Sequence, residues 1–284
     1  MKRCAITGAR GYLGSRLAAS FRLRGWDVLE LSRNVRNGDG AAQYSLTGEV
    51  PADALRGVDV LVHAAYDFTP RSATLARSVN LAGSMRLFSA AKAAEVRCII
   101  FISSLAAFDG CQSVYGGTKL LIEREAAGCG AWIVRPGVIY GRQAGGLLGA
   151  MRRVVGKLPV VPVLGSGRYA LSTAHEEDLC ALILRLAETV EPAPPRPLIA
   201  AAKEQILFID LLRDLASAAQ KRPLFVPVPW RLAWLGLRCL ESLGFSPGLR
   251  SDSVVSLVHG NPSPSFSPDD HRGVEFRPFR VEDL

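Results

Sequence analysis

Residues Lys2 to Gly14 read KRCAITGARGYLG, and this stretch decides the fold. A short apolar run ends at Thr7, and glycines follow at Gly8, Gly11 and Gly14. Glycine lets the backbone approach an anion closely, and a helix N-terminus offers N–H groups and a positive dipole end. We therefore predict a strand, a tight turn and a helix that hold the phosphates of a dinucleotide. The alternative is a glycine-rich turn without a ligand, because the Gly-x-x-Gly-x-x-Gly spacing departs from the commoner Gly-x-Gly-x-x-Gly.

Strands and helices alternate through the first half of the chain. The apolar runs are nearly continuous, as is typical of parallel strands buried on both faces. The predicted strands are Asp27–Ser32, Val58–Ala65, Arg97–Ser103 and Ala131–Pro136, and the predicted helices are Leu75–Glu95 and Tyr115–Ala127. This succession predicts an α/β fold with a Rossmann-type, doubly wound parallel sheet.

The pattern changes after residue 141, which indicates two parts. We predict a dinucleotide-binding Rossmann domain over residues 1–145 and a smaller C-terminal substrate-binding lobe over 146–284, part of which returns to the first domain. Trp230 to Leu243 is apolar and aromatic, with few basic residues. It could lie as a helix in a membrane interface, but we favour a core helix of the second lobe.

Composition limits the function classes. The 284 residues carry a formal net charge of +8, which favours an anionic small ligand. No run of basic residues interleaved with aromatics indicates nucleic-acid binding. The six cysteines form no Cys-x-x-Cys pair and the four histidines are dispersed, so no metal site is predicted. The chain shows neither a signal-peptide pattern nor an apolar stretch long enough to span a bilayer, and we expect a reducing, cytoplasmic location.

A candidate catalytic group follows the fourth predicted strand. Tyr115 and Lys119 stand four residues apart, so they share one helix face, and Ser104 ends the preceding strand. A neighbouring ammonium favours a phenolate and lowers the pKa of a tyrosine. A serine hydroxyl beside it can hold a substrate carbonyl or hydroxyl. Together these groups could move a proton while a nicotinamide moves a hydride.

The sequence resembles the extended branch of the short-chain dehydrogenase/reductase superfamily, the NAD(P)-dependent epimerases and dehydratases. The resemblance covers Met1 to about Asp178 and is weak in the tail. The matching motifs are TGARGYLG, VLVHAA, the asparagine of VNLAGSMRLFSAA, FISS, YGGTK, RPGVIYG and GSGRYALSTAHEEDL. Homodimers through the helices that carry Asn80 and Tyr115 are usual in this family.

The resemblance implies roles for individual residues. Tyr115 is implied as the general acid/base, Lys119 as the group that lowers its pKa and contacts the nicotinamide ribose, and Ser104 as the group that positions the reacting oxygen. Asn80 is implied to support the local water and backbone network. The implied cofactor-binding residues are Thr7, Gly8, Arg10, Gly11, Tyr12, Leu13, Gly14, Ser32, Arg33, His63, Ala64, Ala65, Tyr115, Lys119, Pro136 and Val138.

The end of the second strand indicates which dinucleotide binds. An NAD site usually places an acidic residue there, whereas this chain has Ser32 and Arg33. An arginine suits the 2′-phosphate of NADP, and Arg10 in the glycine turn could reach the same phosphate. We therefore expect NADP, with NAD possible if both arginines are only solvated surface residues.

The chain also departs from the family pattern. Gly116 and Gly117 follow the tyrosine and weaken the helix start. Leu105 and Ala106 stand where dehydratases often carry an Asp-Glu pair, which disfavours 4,6-dehydration. Many sugar-nucleotide enzymes place an arginine near Leu171 to hold the diphosphate, and Arg168 could substitute for it.

Three functions remain open from the sequence. The leading hypothesis is keto reduction or epimerisation of a sugar nucleotide. The second is NADP-dependent reduction or oxidation of an apolar ketone or alcohol, which Leu171 and the Trp230 to Leu243 segment would fit. The third is a non-catalytic cofactor sensor or assembly protein, which the retained Ser104, Tyr115 and Lys119 disfavour.

Overall fold

The computed structural model describes residues 1–33, 40–50, 53–142, 145–244 and 249–284. Its strands are β1 (Arg3–Thr7), β2 (Asp27–Ser32), β3 (Ala41–Gln43), β4 (Val60–His63), β5 (Cys98–Ile102), β6 (Trp132–Pro136), β7 (Val138–Tyr140), β8 (Val160–Leu164), β9 (Ala170–His175), β10 (Leu198–Ala200), β11 (Gln205–Leu207) and β12 (Leu224–Val228). Its helices are α1 (Tyr12–Leu23), α2 (Ala73–Ala93), α3 (Val114–Gly128), α4 (Gly146–Lys157), α5 (Glu176–Glu188), α6 (Phe208–Ala218), α7 (Trp230–Ser242) and α8 (Ser251–Val258), with a 3₁₀ turn at Val281–Asp283.

The central sheet confirms the predicted Rossmann-type fold. Seven strands lie in the order β3-β2-β1-β4-β5-β6-β10, and each neighbouring pair is parallel. The chain runs from β1 toward β3 on one side and then crosses to β4 and β5 on the other. The direction reverses between β1 and β4, and ligands of such sheets bind outside the carboxyl ends of the strands at that point.

Two layers of helices cover the sheet and explain its apolar strands. Helices α1 and α5 pack on one face, whereas the residues of α2 and α3 join the core on the other. Every residue of β4 and β5 is buried. Such strands cannot alternate polar and apolar positions, because neither face meets water.

The second lobe has its own core. Two small sheets, β7-β9-β11 and β8-β12, surround it with α4, α6, α7 and α8. The chain returns to the first domain twice, since α5 packs beside α1 and β10 extends the large sheet next to β6.

The structure also shows elements that the sequence reasoning did not assign. These are β3, β7, β9, β10, β11 and α8. Four of these strands have only three residues each, too few to establish a hydrophobic period. Each forms by pairing with a strand elsewhere in the chain, which local sequence does not record.

The expectation that Trp230 to Leu243 forms a core helix is wrong. Helix α7 does form there, but none of its residues is buried. Its inner side packs against the lobe core through half-buried residues such as Trp234, while Leu232 and Leu235 are 61% and 51% exposed. The reason is that, among the described residues, only one side of α7 packs against the lobe core, while the apolar residues of its other side are exposed.

Within the described residues, no helix combines the length and the apolar character that crossing a membrane would require.

Candidate active site

The glycine turn after β1 is packed so closely that a side chain would not fit at Gly8 or Gly14. Gly8 has a φ of +68° and donates its N–H to the carbonyl of Leu31 on β2 at 3.1 Å. A Cβ on Gly8 would lie 3.1 Å from the Cα of Ala65, and one on Gly14 would lie 2.1 Å from the carbonyl oxygen of Gly8. The turn is therefore pressed against β2, the end of β4 and the first turn of α1, as a dinucleotide cradle requires.

Helix α1 begins at this turn with donors available for an anion. Its N-cap residue, Gly11, provides no side-chain hydrogen bond, and its first turn contains no acidic residue. The N–H groups of such a turn and the helix dipole suit a phosphate. Tyr12 is oriented by Glu176, which accepts its hydroxyl proton at 2.5 Å, and Leu13 packs against the sheet core.

A buried chain of hydrogen bonds lies beneath the turn. The hydroxyl of Thr7 accepts from the N–H groups of Ala64 and Ala65, both at 3.1 Å, and contacts Nδ1 of His63 at 2.7 Å. Burial lowers the pKa of His63 to about 3, so the ring is neutral at physiological pH. Nε2 of His63 in turn contacts the hydroxyl of Ser84 at 2.9 Å. This chain fixes the backbone of residues 64 and 65, against which Gly8 packs.

Asn80 holds the loop that follows β4. Its Oδ1 accepts from the N–H of Asp67 at 2.7 Å, and its Nδ2 donates to the carbonyls of Asp67 and Ala76. These are all backbone groups, and the side chain is 1% exposed. Asn80 therefore positions the loop that carries Tyr66 and Phe68.

The structure brings Ser104, Tyr115 and Lys119 together at the carboxyl end of β5. The hydroxyl of Ser104 lies close enough to the phenol of Tyr115 to lower the pKa of that phenol. Nζ of Lys119 donates to the carbonyl of Ile102, the last residue of β5, at 2.7 Å and lies 5.9 Å from the centre of the Tyr115 ring. The loop after β5 and helix α3 thus place a hydroxyl, a phenol and an amine around one edge of the sheet.

Burial decides the pKa values of this group. It raises the pKa of Tyr115, and the neighbouring Ser104 hydroxyl only partly opposes that shift. It lowers the pKa of Lys119 to about 7, against the attraction of Glu123. The resemblance implied that Lys119 lowers the pKa of Tyr115. In this structure the shift of Tyr115 runs the other way, because burial disfavours both charged forms.

Gly116 explains one departure from the family pattern. A Cβ at this position would lie 2.1 Å from the carbonyl oxygen of Ala106, in the loop that follows Ser104. The helix can therefore approach that loop only without a side chain. The start of α3 is supported instead by Ser113, whose hydroxyl accepts from the N–H of Gly116 at 3.1 Å.

The sequence reasoning missed Asp252, which joins the second lobe to α3, the helix that carries Tyr115 and Lys119. Its two carboxylate oxygens accept from the N–H groups of Val114 and Tyr115 at 2.8 and 2.9 Å. A carboxylate at a helix N-terminus satisfies free donors and interacts favourably with the dipole. No local signal identifies it, because it lies 137 residues beyond Tyr115.

Aromatic rings form one wall of the site. Tyr66 and Phe68 lie with ring centres 4.9 and 5.6 Å from that of Tyr115, and 4.6 Å from each other. Phe68 is 49% exposed, so it stands at the outer rim. This wall was not predicted, although both residues follow directly on the quoted VLVHAA motif.

Pro136 and Val138 lie beside the loop that begins with Ser104. The carbonyl of Pro136 accepts from the N–H of Leu105 at 3.0 Å, and Val138 begins β7 by pairing with Thr173 on β9. A Cβ on Gly137 would lie 2.4 Å from the carbonyl oxygen of Ser172. The backbone at the end of β6 is therefore held against both lobes, as expected for a segment close to the cofactor.

The two arginines considered for the dinucleotide lie at the same edge. Ser32 is buried at the end of β2, and Arg33 is exposed directly after it. Arg10 is exposed on the glycine turn, with its Nε 4.0 Å from a carboxylate oxygen of Glu30 on β2. Glu30 was not considered from the sequence, and it also pairs with Arg22 at 2.7 Å.

Leu171 and Arg168, the two positions considered for a substrate diphosphate, differ in their exposure. Leu171 is half-buried on β9 and packs against the lobe core. Arg168 is exposed in the turn between β8 and β9.

A family model describes most of this architecture. The model of the NAD-dependent epimerase/dehydratase family matches residues 4–200, from β1 to β10. The chain belongs to the NAD-dependent epimerase/dehydratase family. It is therefore an NAD(P)-dependent enzyme of the oxidoreductase/epimerase type, which confirms the enzymatic prediction.

Similar proteins show the range of this family. Ceramide reductase of Caulobacter vibrioides is 29% identical over 246 residues, which are 79% of this chain and 73% of that protein. UDP-glucose 4-epimerase of Vibrio cholerae is 24% identical over 261 residues, 80% of this chain and 79% of that one. The structure of MoeE5 in complex with UDP-glucose and NAD superposes with a TM-score of 0.69 at 19% identity, covering 80% of this chain and 85% of that chain.

Proposed function

We propose that this protein reduces a ketone on an apolar substrate to a secondary alcohol, with NADPH as the reductant. The observation that carries the proposal is the grouping of Ser104, Tyr115 and Lys119 at the sheet edge that holds the glycine turn. A bound nicotinamide dinucleotide supplies the hydride, and the Gly8 and Gly14 packing together with the uncapped start of α1 fits its phosphates.

The state of Tyr115 favours the reductive direction. Because burial raises its pKa, the phenol is protonated at neutral pH and is ready to act as a general acid. The Ser104 hydroxyl, which lies beside the phenol, orients the carbonyl oxygen. As hydride reaches the carbonyl carbon, that oxygen takes the proton of Tyr115, so the product is an alcohol.

Lys119 supports the proton transfer of Tyr115. Its Nζ stays on the carbonyl of Ile102, and with a pKa near 7 it can hold or release a proton close to neutrality. We propose that it contacts the nicotinamide ribose and helps to restore the proton of Tyr115 between turnovers.

The aromatic wall supports an apolar substrate. Tyr66 and Phe68 offer ring faces beside the phenol of Tyr115, and Leu171 packs into the lobe core where the family often has a diphosphate-binding arginine. The similarity to a protein described as a ceramide reductase agrees with a long-chain substrate.

Reduction or epimerisation of a sugar nucleotide is the second candidate. The similarity to a UDP-glucose 4-epimerase favours it, and so does the fold shared with MoeE5, which was solved with UDP-glucose and NAD. In that case the exposed Arg168 would be the nearest candidate in sequence to Leu171 for holding a diphosphate.

Arg33 and Arg10 support the choice of NADPH over NADH. Arg33 is exposed at the carboxyl end of β2, where the ribose of the dinucleotide binds in this fold, and Arg10 is exposed on the glycine turn after the neighbouring β1. Glu30, the acidic residue of this edge, is engaged by Arg10 and Arg22.

The test measures NADPH oxidation by absorbance with a long-chain ketone in mixed micelles and with a UDP-4-keto sugar, and compares wild type with Tyr115→Phe. Tyr169→Phe is the matched control. It also removes one phenolic hydroxyl, but that hydroxyl belongs to the second lobe. Oxidation with the long-chain ketone that Tyr115→Phe abolishes is the expected result. Activity with the keto sugar alone would replace the first candidate by the second. Tight dinucleotide binding without activity on either would overturn both.

A further inference from the structure

The second lobe exposes a concentration of apolar side chains. Among the described residues, fourteen large apolar side chains are exposed, and eight of them lie on or beside β8, β12 and α7. We call these eight residues the apolar patch: Leu158, Val160, Leu224, Val226, Leu232, Leu235, Leu240 and Leu243. A concentration of this kind marks a binding surface more often than chance exposure does.

The two-stranded sheet contributes one part of the patch. Leu224 pairs with Val160 and Val226 with Pro162 in the parallel register of β8 and β12, so all four side chains stand on one face. All four are exposed, whereas Val161 between them is buried in the lobe core. This sheet therefore has an apolar face toward the core and a second apolar face toward solvent.

Helix α7 contributes the other part. Leu232, Leu235 and Leu243 share its outer side with Gly236 and Cys239, and all five are exposed. The opposite side packs on the lobe core through half-buried residues. The helix starts two residues after β12 ends, so the two apolar faces are continuous along the chain.

Basic residues predominate along the chain that carries most of the patch. Between Asp214 and Glu241 the sequence contains four basic residues and no acidic one. Lys221 and Arg222 precede β12, and the other two lie seven residues apart on one side of α7. Arg213 joins Lys221 and Arg222 around an open depression of about 580 Å³ next to Phe225.

The patch is also connected to the catalytic helix. Glu241, near the end of α7, accepts from the N–H and the hydroxyl of Ser251 at 2.8 and 2.7 Å. The next residue, Asp252, caps α3 at Tyr115. Arg250 donates to the carbonyl of Phe68 and lies over its ring, so the end of the patch adjoins the exposed aromatic rim of the site.

We infer that the apolar patch docks on a lipid bilayer that carries anionic phospholipid. Leucines on one helix face, with arginines beside them, match a helix that lies in the interface plane, where apolar side chains enter the acyl boundary and cations meet phosphates. The four basic residues between Asp214 and Glu241 fit that surface by charge. The inference concerns docking alone and holds whichever substrate the site accepts.

The test measures binding of the full-length protein to phosphatidylcholine vesicles with and without phosphatidylglycerol, by flotation at low and high salt. Wild type is expected to bind the anionic vesicles and to lose affinity as salt rises. The double variant Leu232→Glu/Leu235→Glu should bind about 100-fold more weakly. Arg231→Gln/Arg238→Gln should bind about twentyfold more weakly.

The matched control is Leu23→Glu/Val190→Glu. It adds the same two negative charges at apolar residues that are also exposed, by 88% and 92%, but lie outside the patch. Its binding should stay within about threefold of wild type, and all variants should keep their Tm and their NADPH affinity. Absence of binding to anionic vesicles, or equal losses in patch and control variants, would overturn the inference. So would sedimentation showing a dimer that only the patch variants dissociate, without vesicle binding by wild type.

Discussion

Helices α5 and α7 have the same length of 13 residues, and both are rich in leucine. Nine residues of α5 are buried, including Leu182 and Ile183, whereas α7 has none. The difference lies in what surrounds each helix. Helix α5 packs against the large sheet, α1 and the C-terminal segment around Phe276. Among the described residues, α7 packs against the lobe core on one side only.

The comparison teaches that apolar composition does not decide whether a helix is buried. An amphipathic pattern predicts a face toward a core, but an apolar residue on the opposite face is uninformative until the neighbouring layers are known. In α5 the extra apolar residues stabilise the fold. In α7 they are free to contribute to binding.

The largest expected effect is on catalysis, which we assign to Tyr115 in the dinucleotide-binding domain. Tyr115→Phe removes the proton that we assign to the general acid, and we expect kcat to fall by about 10³-fold or more. The measurement is steady-state NADPH oxidation with the accepted ketone. NADPH affinity should hardly change, since the ring and its packing remain; a loss confined to cofactor affinity would contradict the assigned role.

The second effect tests the two helices directly. Leu182→Ala in α5 empties a fully buried position and should lower the free energy of unfolding by about 2–5 kcal/mol. Leu235→Ala in α7 is the counterpart at a position that is 51% exposed, and it should change the free energy by no more than about 0.5 kcal/mol. Urea denaturation measures both. Equal losses would show that the outer face of α7 is covered in solution.

A smaller effect comes from the buried amine at the base of the site. The pKa of Lys119 is about 7 in the folded protein and near its ordinary value of 10.5 in the unfolded chain, so the unfolded chain binds more protons between these values. Stability from this group therefore rises with pH in that window, by up to about 1.4 kcal/mol per pH unit. Thermal unfolding from pH 7 to 8.5 should show the rise in wild type relative to Lys119→Met. Parallel profiles would mean that Lys119 stays charged when folded.

The smallest effect concerns an exposed residue that we assign to binding only. Arg33→Ala should weaken NADPH binding about tenfold and leave NADH binding nearly unchanged, because only NADPH carries the 2′-phosphate. Fluorescence titration measures both affinities. Arg24→Ala is the control, since Arg24 is an exposed arginine just beyond the end of α1. Equal losses for the two dinucleotides would remove the assignment of Arg33.

The sequence predicted the dinucleotide half better than the second lobe. Strand β2 has the bounds that its apolar run predicted, β1 and β6 begin one residue later than predicted, and β5 is one residue shorter at each end. Strand β4 is two residues shorter at each end than the predicted Val58–Ala65. These strands are buried on both faces, so their apolar runs carry the signal themselves. Ser104, Tyr115 and Lys119 meet because each lies close to the end of a strand or the start of a helix whose position the sheet fixes.

The missing parts depend on contacts between distant residues. Asp252 caps α3 from another lobe, and Tyr66 and Phe68 form a wall only because Asn80 holds their loop. The raised pKa of Tyr115 follows from burial, which a sequence motif does not report. The exposure of α7 follows from the extent of the neighbouring layers, which no local pattern encodes.

The chain of hydrogen bonds beneath the glycine turn has a fixed direction. Because Thr7 accepts two N–H groups, its own proton points to Nδ1 of His63, which leaves the ring proton on Nε2 to point to Ser84, whose hydroxyl donates to the carbonyl of Asn80. None of these donors can turn around alone without leaving a buried group unsatisfied. With His63 neutral well below physiological pH, acidification of the surroundings would leave this floor of the dinucleotide site in the same arrangement, so any acid sensitivity of the protein must arise elsewhere.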